Sequence, residues 1–295
     1  MHSASYYLEL LLSGITVGSL YALIAIGYTM VYGILRLINF AHGDIFMMAG
    51  FFMVYLSASM SPVVAIPIVL ILTVLLGTTI ERVAYKPLRS APRMSVMISA
   101  IGVSYLLENL ATYITGGLAK AYPVIPFLKK TFTVGQMTIK TITVITPVLT
   151  IFLVVALVSF ISRTKTGMAM RAVSKDFDTA RLMGIRVNDV ISYTFVIGSF
   201  LAGVGSILYF TNYGQVSPLI GAMPGLKAFV AAVFGGIGSI PGAVLGAYLI
   251  GICESFIKSN DSIAIFSNAF TFVLLIVVLL FKPNGMFGEK DNEKV

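Results

Sequence analysis

Long apolar runs separated by short polar stretches fill the chain, and they predict helices at about 8–35, 38–56, 62–82, 94–115, 143–161, 189–210, 225–257 and 263–281. A helix needs about 20 apolar residues to cross roughly 30 Å of hydrocarbon, and most of these runs reach that length. Two places interrupt them. Between the first two runs stands Arg36-Leu37-Ile38-Asn39-Phe40-Ala41-His42-Gly43-Asp44. The seventh run is cut by Gly235-Gly236-Ile237-Gly238-Ser239-Ile240-Pro241-Gly242, preceded from Leu226 by too few apolar residues to span. A short helix, a glycine-rich turn and a longer helix follow from that pattern. Lipid offers backbone no hydrogen bonds, so both breaks are expected to face the protein interior.

Composition sharpens the class. Hydrophobic residues make up 58% of the 295 residues and charged residues 11%, whereas a soluble domain carries about 25% charged residues. The expectation is one all-α domain over 1–295, a polytopic membrane helix bundle of about eight transmembrane helices with glycine-rich breaks. Residues 1–7 carry no Lys or Arg, and the run after them is too long for a signal peptide, so it reads as a retained first helix. Cys253 has no partner cysteine and reads as a small packing residue.

The net charge of +8 does not form a basic stripe interleaved with aromatics, so nucleic acid is not an expected partner. Instead Arg36, then Arg82, Lys86, Arg89 and Arg93, then Arg163, Lys165, Arg171, Lys175, Arg181 and Arg186, then Lys282, Lys290 and Lys294 form four clusters in short loops. Basic loops are retained in the cytoplasm. All four clusters can be inside together if Met1 and the 120–140 segment, with four lysines and no arginine, lie outside. The stretch 211–262 must then cross an even number of times. The two break-containing triplets end alike, in Tyr85-Lys86-Pro87 and Phe281-Lys282-Pro283, which suggests either a weak internal repeat or chance similarity.

Ionisable groups inside a bilayer are expensive and mark a pathway or a structural lock. Asn39, His42 and Asp44 therefore form a candidate gate or lock, or a direct substrate contact; Asp44 could also cap the second helix. Glu108, Asn109 and Glu254 should face the bundle interior or a polar end, and Lys258, one turn after Glu254, is a candidate partner for it. Gly235, Gly236 and Gly238 read as close helix packing or as exposed backbone along the path, with Gly238, Gly242 and Gly246 in small-xxx-small spacing. His42 has only His2 for company, so no metal site is expected, and no catalytic triad or phosphate-binding loop is present in the sequence.

The longest cytoplasmic loop, about 163–188, carries Val173, Phe177, Ala180 and Gly184 at helical spacing. A short amphipathic helix follows, capped by Ser174 or Asp176 and ended by a left-handed Gly184, with Ile185 folding back on Ala180. So short a helix is marginal alone. It needs its own membrane domain or a cytoplasmic partner to hold it.

Asp178-Thr179-Ala180-Arg181-Leu182-Met183-Gly184 resembles the coupling motif of bacterial ABC importer permeases, with Asp in place of Glu and Thr in place of the first Ala. Asn39-Phe40-Ala41-His42-Gly43-Asp44, the run Arg171-Ala172-Val173-Ser174-Lys175-Asp176, the segment from Phe234 to Ala243 and the tail from Lys282 to Gly288 resemble LivH-type branched-chain amino acid permeases in the same order. The resemblance implies a multi-pass protein of the bacterial inner membrane that pairs with a LivM-like permease, two cytoplasmic ATPases and an extracytoplasmic amino-acid-binding protein. It implies that ATP and Mg are held by the ATPases, with no cofactor and no enzymatic role for this subunit. Arg171, Asp176, Asp178, Ala180, Gly184 and Ile185 would couple it to an ATPase, through alternating access. Urea and short-chain amide permeases look similar, and a secondary transporter with Glu108, Asp44 and His42 as a proton relay is the reading from another class.

Overall fold

The computed structural model describes residues 4–89, 91–134, 137–282 and 285–287. Met1, His2, Pro283, Gly288, Lys290 and Lys294, which entered the sequence reading, lie outside the described residues. The helices are α1 (Ala4–Leu35), α2 (His42–Leu56), α3 (Pro62–Ile80), α4 (Arg93–Thr115), α5 (Thr141–Arg163), α6 (Lys165–Lys175), α7 (Phe177–Leu182), α8 (Val187–Tyr213), α9 (Ala222–Gly235), α10 (Ile240–Lys258) and α11 (Ser267–Phe281). A π-helical turn, Glu81–Tyr85, and a 3₁₀ turn, Lys86–Leu88, prolong α3.

Among the described residues, seven helical segments are long and apolar enough to cross a membrane, and two apolar helices fall short: α2, with 15 residues, and α9, with 14. The expected eight spans thus become seven full-length and two half-length helices.

Helix α1 is the central post. All its residues from Leu20 to Ile26 are buried, and it runs antiparallel to α10 at glycine distance. A Cβ on Gly14 would lie 2.7 Å from the Ile252 Cα, and one on Gly18 would lie 2.7 Å from the Tyr248 Cα. The most apolar stretch of α1 is 67% buried, whereas that of α11 is 11% buried. The outer helices thus offer their apolar faces to lipid or to a neighbouring subunit.

Helix directions and contacts gather the described basic clusters at one end. Arg36 reaches the Ser174 carbonyl, Arg89 bonds Asn188, and the segment after α11 docks on the end of α9. The opposite end holds β1 (Lys120–Ala121), β2 (Thr131–Val134), β3 (Met137–Lys140) and β4 (Gln215–Val216). Strand β1 pairs antiparallel with β4, Lys120 opposite Val216, and β2 with β3 forms a hairpin. The sequence predicts only an outward loop at 120–140; the pairing ties it to the end of α8.

Both breaks differ from expectation. Helix α2 begins at His42 rather than 38, because residues 37–41 re-enter the bundle without regular structure. The glycine-rich turn between α9 and α10 is not deep in the bundle: a Cβ on Gly33, near the basic end of α1, would come 3.5 Å from Gly238, and Gly238 is exposed. The deep irregular backbone lies instead before α9, at 217–221. The glycine-rich turn follows a half-helix and precedes a full crossing, the reverse of the first break, whereas the break at 217–221, like the first, follows a full crossing and precedes a half-helix.

Candidate functional site

Leu35 ends α1, and Arg36 turns the chain with φ 53°, in the left-handed region that bulky residues seldom adopt. The chain then returns into the bundle, where His42 fits between two glycines. A Cβ on Gly27 of α1 would fall on the imidazole, and one on Gly198 of α8 would approach its Cε1 to 3.7 Å. Gly198 stands about 11 residues into α8, so at 1.5 Å per residue His42 lies roughly 16 Å from the basic end, near mid-depth.

The start of α9 meets the start of α2 at this depth. A Cβ on Gly43 would sit 2.7 Å from the Gly221 carbonyl oxygen, and one on Gly225 would sit 3.1 Å from both the Gly43 Cα and the Tyr28 hydroxyl. Only glycine permits so close an approach. From here α2 runs to the strand-bearing end and α9 to the basic end, so the positive ends of two helix dipoles abut at mid-depth. Discontinuous helices whose N-termini meet near the midplane are how many transporters build substrate sites.

Polar side chains frame the junction. Tyr85 donates to Asn39 Oδ1 at 2.7 Å, Ser104 of α4 donates to Asp44 Oδ2 at 2.5 Å, and Tyr28 packs edge-on against His42 with centroids 4.9 Å apart. Asn39 Nδ2, His42 Nε2 and Asp44 Oδ1 are buried without a protein hydrogen-bond partner. Asp44 lies in the first turn of α2, where its charge suits the dipole, but its side chain caps no backbone N–H; the N-cap position belongs to Ala41. Glu108, half-buried, stands one turn beyond Ser104 on α4. Asn109 does not face the interior: it is exposed and donates to the Tyr105 carbonyl of its own helix.

Two charged networks extend beyond what the sequence predicts, which is the Glu254–Lys258 pair alone. Glu254, 2% exposed, takes Lys227 of α9 at 2.7 Å, the hydroxyl of Tyr21 of α1 at 2.9 Å, and the expected Lys258 at 2.5 Å. Lys227, alone in the apolar run of α9, was the available signal, since an intramembrane lysine demands a counter-ion. In the second, buried Glu81 in the π-helical turn accepts from Arg89 and from Ser192 of α8 at 3.1 Å. A π-bulge has no sequence signature strong enough to find it.

At the glycine-rich turn, a Cβ on Gly235 would strike the Gly242 backbone, Gly236 and Gly238 adopt φ 103° and 98°, and Met286 and Phe287 donate to the carbonyls of Phe234 and Gly235. Gly235 therefore packs α9 on α10, Gly236 and Gly238 supply the positive-φ turn between them, and Gly235 and Gly236 seat the tail.

The loop at the basic end forms two helices where one was expected. Val173 lies on α6, Phe177 and Ala180 lie on α7, and extended Asp176 (φ −157°) separates them. Asp176 caps α7 by accepting from the N–H groups of Asp178 and Thr179 at 2.8 and 3.0 Å; Ser174 instead donates to the Arg171 carbonyl. Gly184 (φ 80°) ends α7: the Ile185 N–H reaches the Ala180 carbonyl and the Gly184 N–H reaches the Arg181 carbonyl, a Schellman motif. Ala180 is buried beneath, while Leu182 and Met183 project, 88% and 78% exposed. Arg171 leans on the Ser162 carbonyl of α5, and Arg36 on that of Ser174, both at 3.4 Å. The loop is thus joined to the segment that leads into His42.

Residues 10–279 match the family described as the permease component of branched-chain amino acid transport systems. The chain belongs to this family. It is 42% identical, over 98% of both chains, to the high-affinity branched-chain amino acid transport system permease protein BraD of Pseudomonas aeruginosa. Identity to LivH of Escherichia coli, a permease protein of the same description, is 40% over 98% of both chains. The autoinducer 2 import system permease protein LsrC of Yersinia enterocolitica is 26% identical over 64% of this chain and 53% of its own length. Family membership and the seven spanning-length helices make this a multi-pass membrane permease.

Proposed function

We propose that this chain is one membrane subunit of an ATP-driven importer for branched-chain amino acids, with its basic end in the cytoplasm and its strand-bearing end outside. The observation that carries the reading is the contact between Ser174 of α6, next to α7, and Arg36, which begins the segment that leads into the mid-depth junction. Leu182 and Met183 offer an apolar seat to a cytoplasmic ATPase, and the Arg36–Ser174 contact transmits movement of α6–α7 to the segment that places His42. Closure of paired ATPases would shift this loop and open or close the glycine-lined meeting of α2 and α9. A second, LivM-like permease would cover the lipid-facing sides of the path, and an extracytoplasmic binding protein would deliver the amino acid. Two abutting helix N-termini suit passage of a carboxylate, and the apolar surroundings suit a leucine-like side chain.

The test is affinity purification after mild solubilisation. ATPase subunits and a second permease should accompany the chain, and a leucine-loaded binding protein should stimulate ATP hydrolysis. A chain that purifies alone and still carries substrate overturns the proposal.

A further inference from the structure

Helices α4, α5 and α11 are similarly uncovered, with 22, 17 and 11% of their most apolar stretches buried. Helix α5 holds no charged residue before Arg163 at its end, and α11 holds none. Their exposed faces suit lipid. Helix α4 differs. It presses Val96, Ala100, Leu107 and Ala111 into the bundle, and the two flanks beside that face are unlike. Helical spacing sets Ser104, Glu108 and Thr112 in one row and Tyr105 and Asn109 in the next, whereas Val103, Leu106 and Leu110 fall on the opposite flank.

Glu108 stands about 15 residues into α4, roughly 22 Å from its basic end and about 10 Å short of Thr115, so it lies within the hydrocarbon depth. It is half-buried, and Tyr105 and Asn109 are exposed. Asn109 gives one N–H to the Tyr105 carbonyl. The Glu108 carboxylate, the Asn109 Oδ1 and the Tyr105 hydroxyl make no hydrogen bond or ion pair with any described residue. Water would serve such groups on a soluble protein. At this depth the surroundings are lipid, which offers neither donor nor counter-charge. A polar partner therefore has to cover this flank.

A second copy of this chain is a poor fit. Two copies inserted in the same direction are related by an axis along the membrane normal, so contact through this flank would set Glu108 against Glu108 at equal depth. Like charges repel most where the dielectric is low. A different spanning subunit can instead bring a cation or hydrogen-bond donors to that depth. The row also leads to the mid-depth junction, because Ser104 donates to Asp44.

We propose that the flank of α4 bearing Ser104, Tyr105, Glu108 and Asn109 is the surface on which the second permease subunit packs, with a lysine, arginine or amide side chain of that subunit meeting Glu108. The proposal rests on the import function above and adds which face of this chain its membrane partner covers.

The test places the photoreactive residue p-benzoylphenylalanine at single positions in cells that express the complete importer, and identifies the cross-linked products by mass spectrometry. In place of Tyr105 or Asn109 it should capture the second permease; Ile151 of α5 and Ile276 of α11, both exposed, mark the alternative faces. Glu108→Lys should lower the second permease recovered with this chain about tenfold, while Glu108→Gln, which can still hydrogen-bond, should retain most of it. Melting temperatures of the variant chains control for misfolding. Capture of the second permease from Ile151 or Ile276 but not from Tyr105 or Asn109, capture of a second copy of this chain, or capture of lipid alone at Tyr105 and Asn109 overturns the interface and leaves the import function standing. A wild-type chain that carries substrate with no second permease overturns the functional reading itself.

Discussion

Gly43 and Gly221 meet backbone to backbone at the point where two half-helices begin, with 2.7 Å between the place a Gly43 Cβ would occupy and the Gly221 carbonyl oxygen. A methyl group cannot enter without separating α2 from α9. Gly43→Ala and Gly221→Ala should therefore abolish or strongly slow transport, and each should destabilise the bundle by about 1–3 kcal/mol, the usual penalty of overpacking. Gly102, which meets nothing within 4 Å, is the control: Gly102→Ala should transport normally. Uptake assays and thermal melts of the three variants decide the matter.

His42 fills the notch left by Gly27 and Gly198. Gly27→Ala alone should impair folding or transport, and Gly27→Ala/His42→Ala should recover part of the stability, because the smaller side chain vacates the space the methyl needs. A double-mutant cycle in melting temperature reads the coupling; additive effects would show that the two residues do not share a site.

Lys227 and Glu254 are both buried. Glu254→Met leaves Lys227 as an uncompensated charge and should cost about 3–5 kcal/mol. Lys227→Met should cost less, because Glu254 keeps Lys258 and the Tyr21 hydroxyl. The double change should cost less than Glu254→Met alone. Lys258, half exposed, is the remaining cation beside Glu254, and its presence makes the single Lys227 variant milder than a fully orphaned carboxylate would be. Denaturation of the detergent-solubilised complexes tests the order.

The loop at the basic end makes a different kind of prediction, because its projecting residues support no core. Leu182→Asp/Met183→Asp should uncouple ATP hydrolysis from transport while the melting temperature stays within about 1 °C of wild type, as expected of exposed positions. Gly184→Arg should act likewise and also lose the Schellman turn, since an arginine at φ 80° is strained.

Long apolar runs made the membrane class, most helix positions and the gathering of basic clusters legible, since each depends on local composition. The Gly184 turn and the Glu254–Lys258 pair were legible for the same reason: their partners are a few residues apart. What stayed hidden depends on contacts between distant segments. Asp44 looks like a helix cap until α4 brings Ser104 to it, and the run from Gly235 to Gly242 looks like the deep break until Gly33 fixes it at the basic end. Lys227 carried a signal in its solitude, yet no local pattern could say that its partner is Glu254, 27 residues away. Asn109 shows the converse: a polar residue in an apolar run can satisfy its amide on its own helix and face outward.

Uptake of radiolabelled leucine into proteoliposomes is the most direct measurement. With this chain, its partner permease, both ATPases and a leucine-loaded binding protein, uptake should require internal ATP, vanish with Leu182→Asp/Met183→Asp, and persist when ion gradients are collapsed by an uncoupler. Uptake that continues without ATPases and collapses with the uncoupler would mean that an ion gradient drives this permease and that the loop at its basic end is not a coupling element.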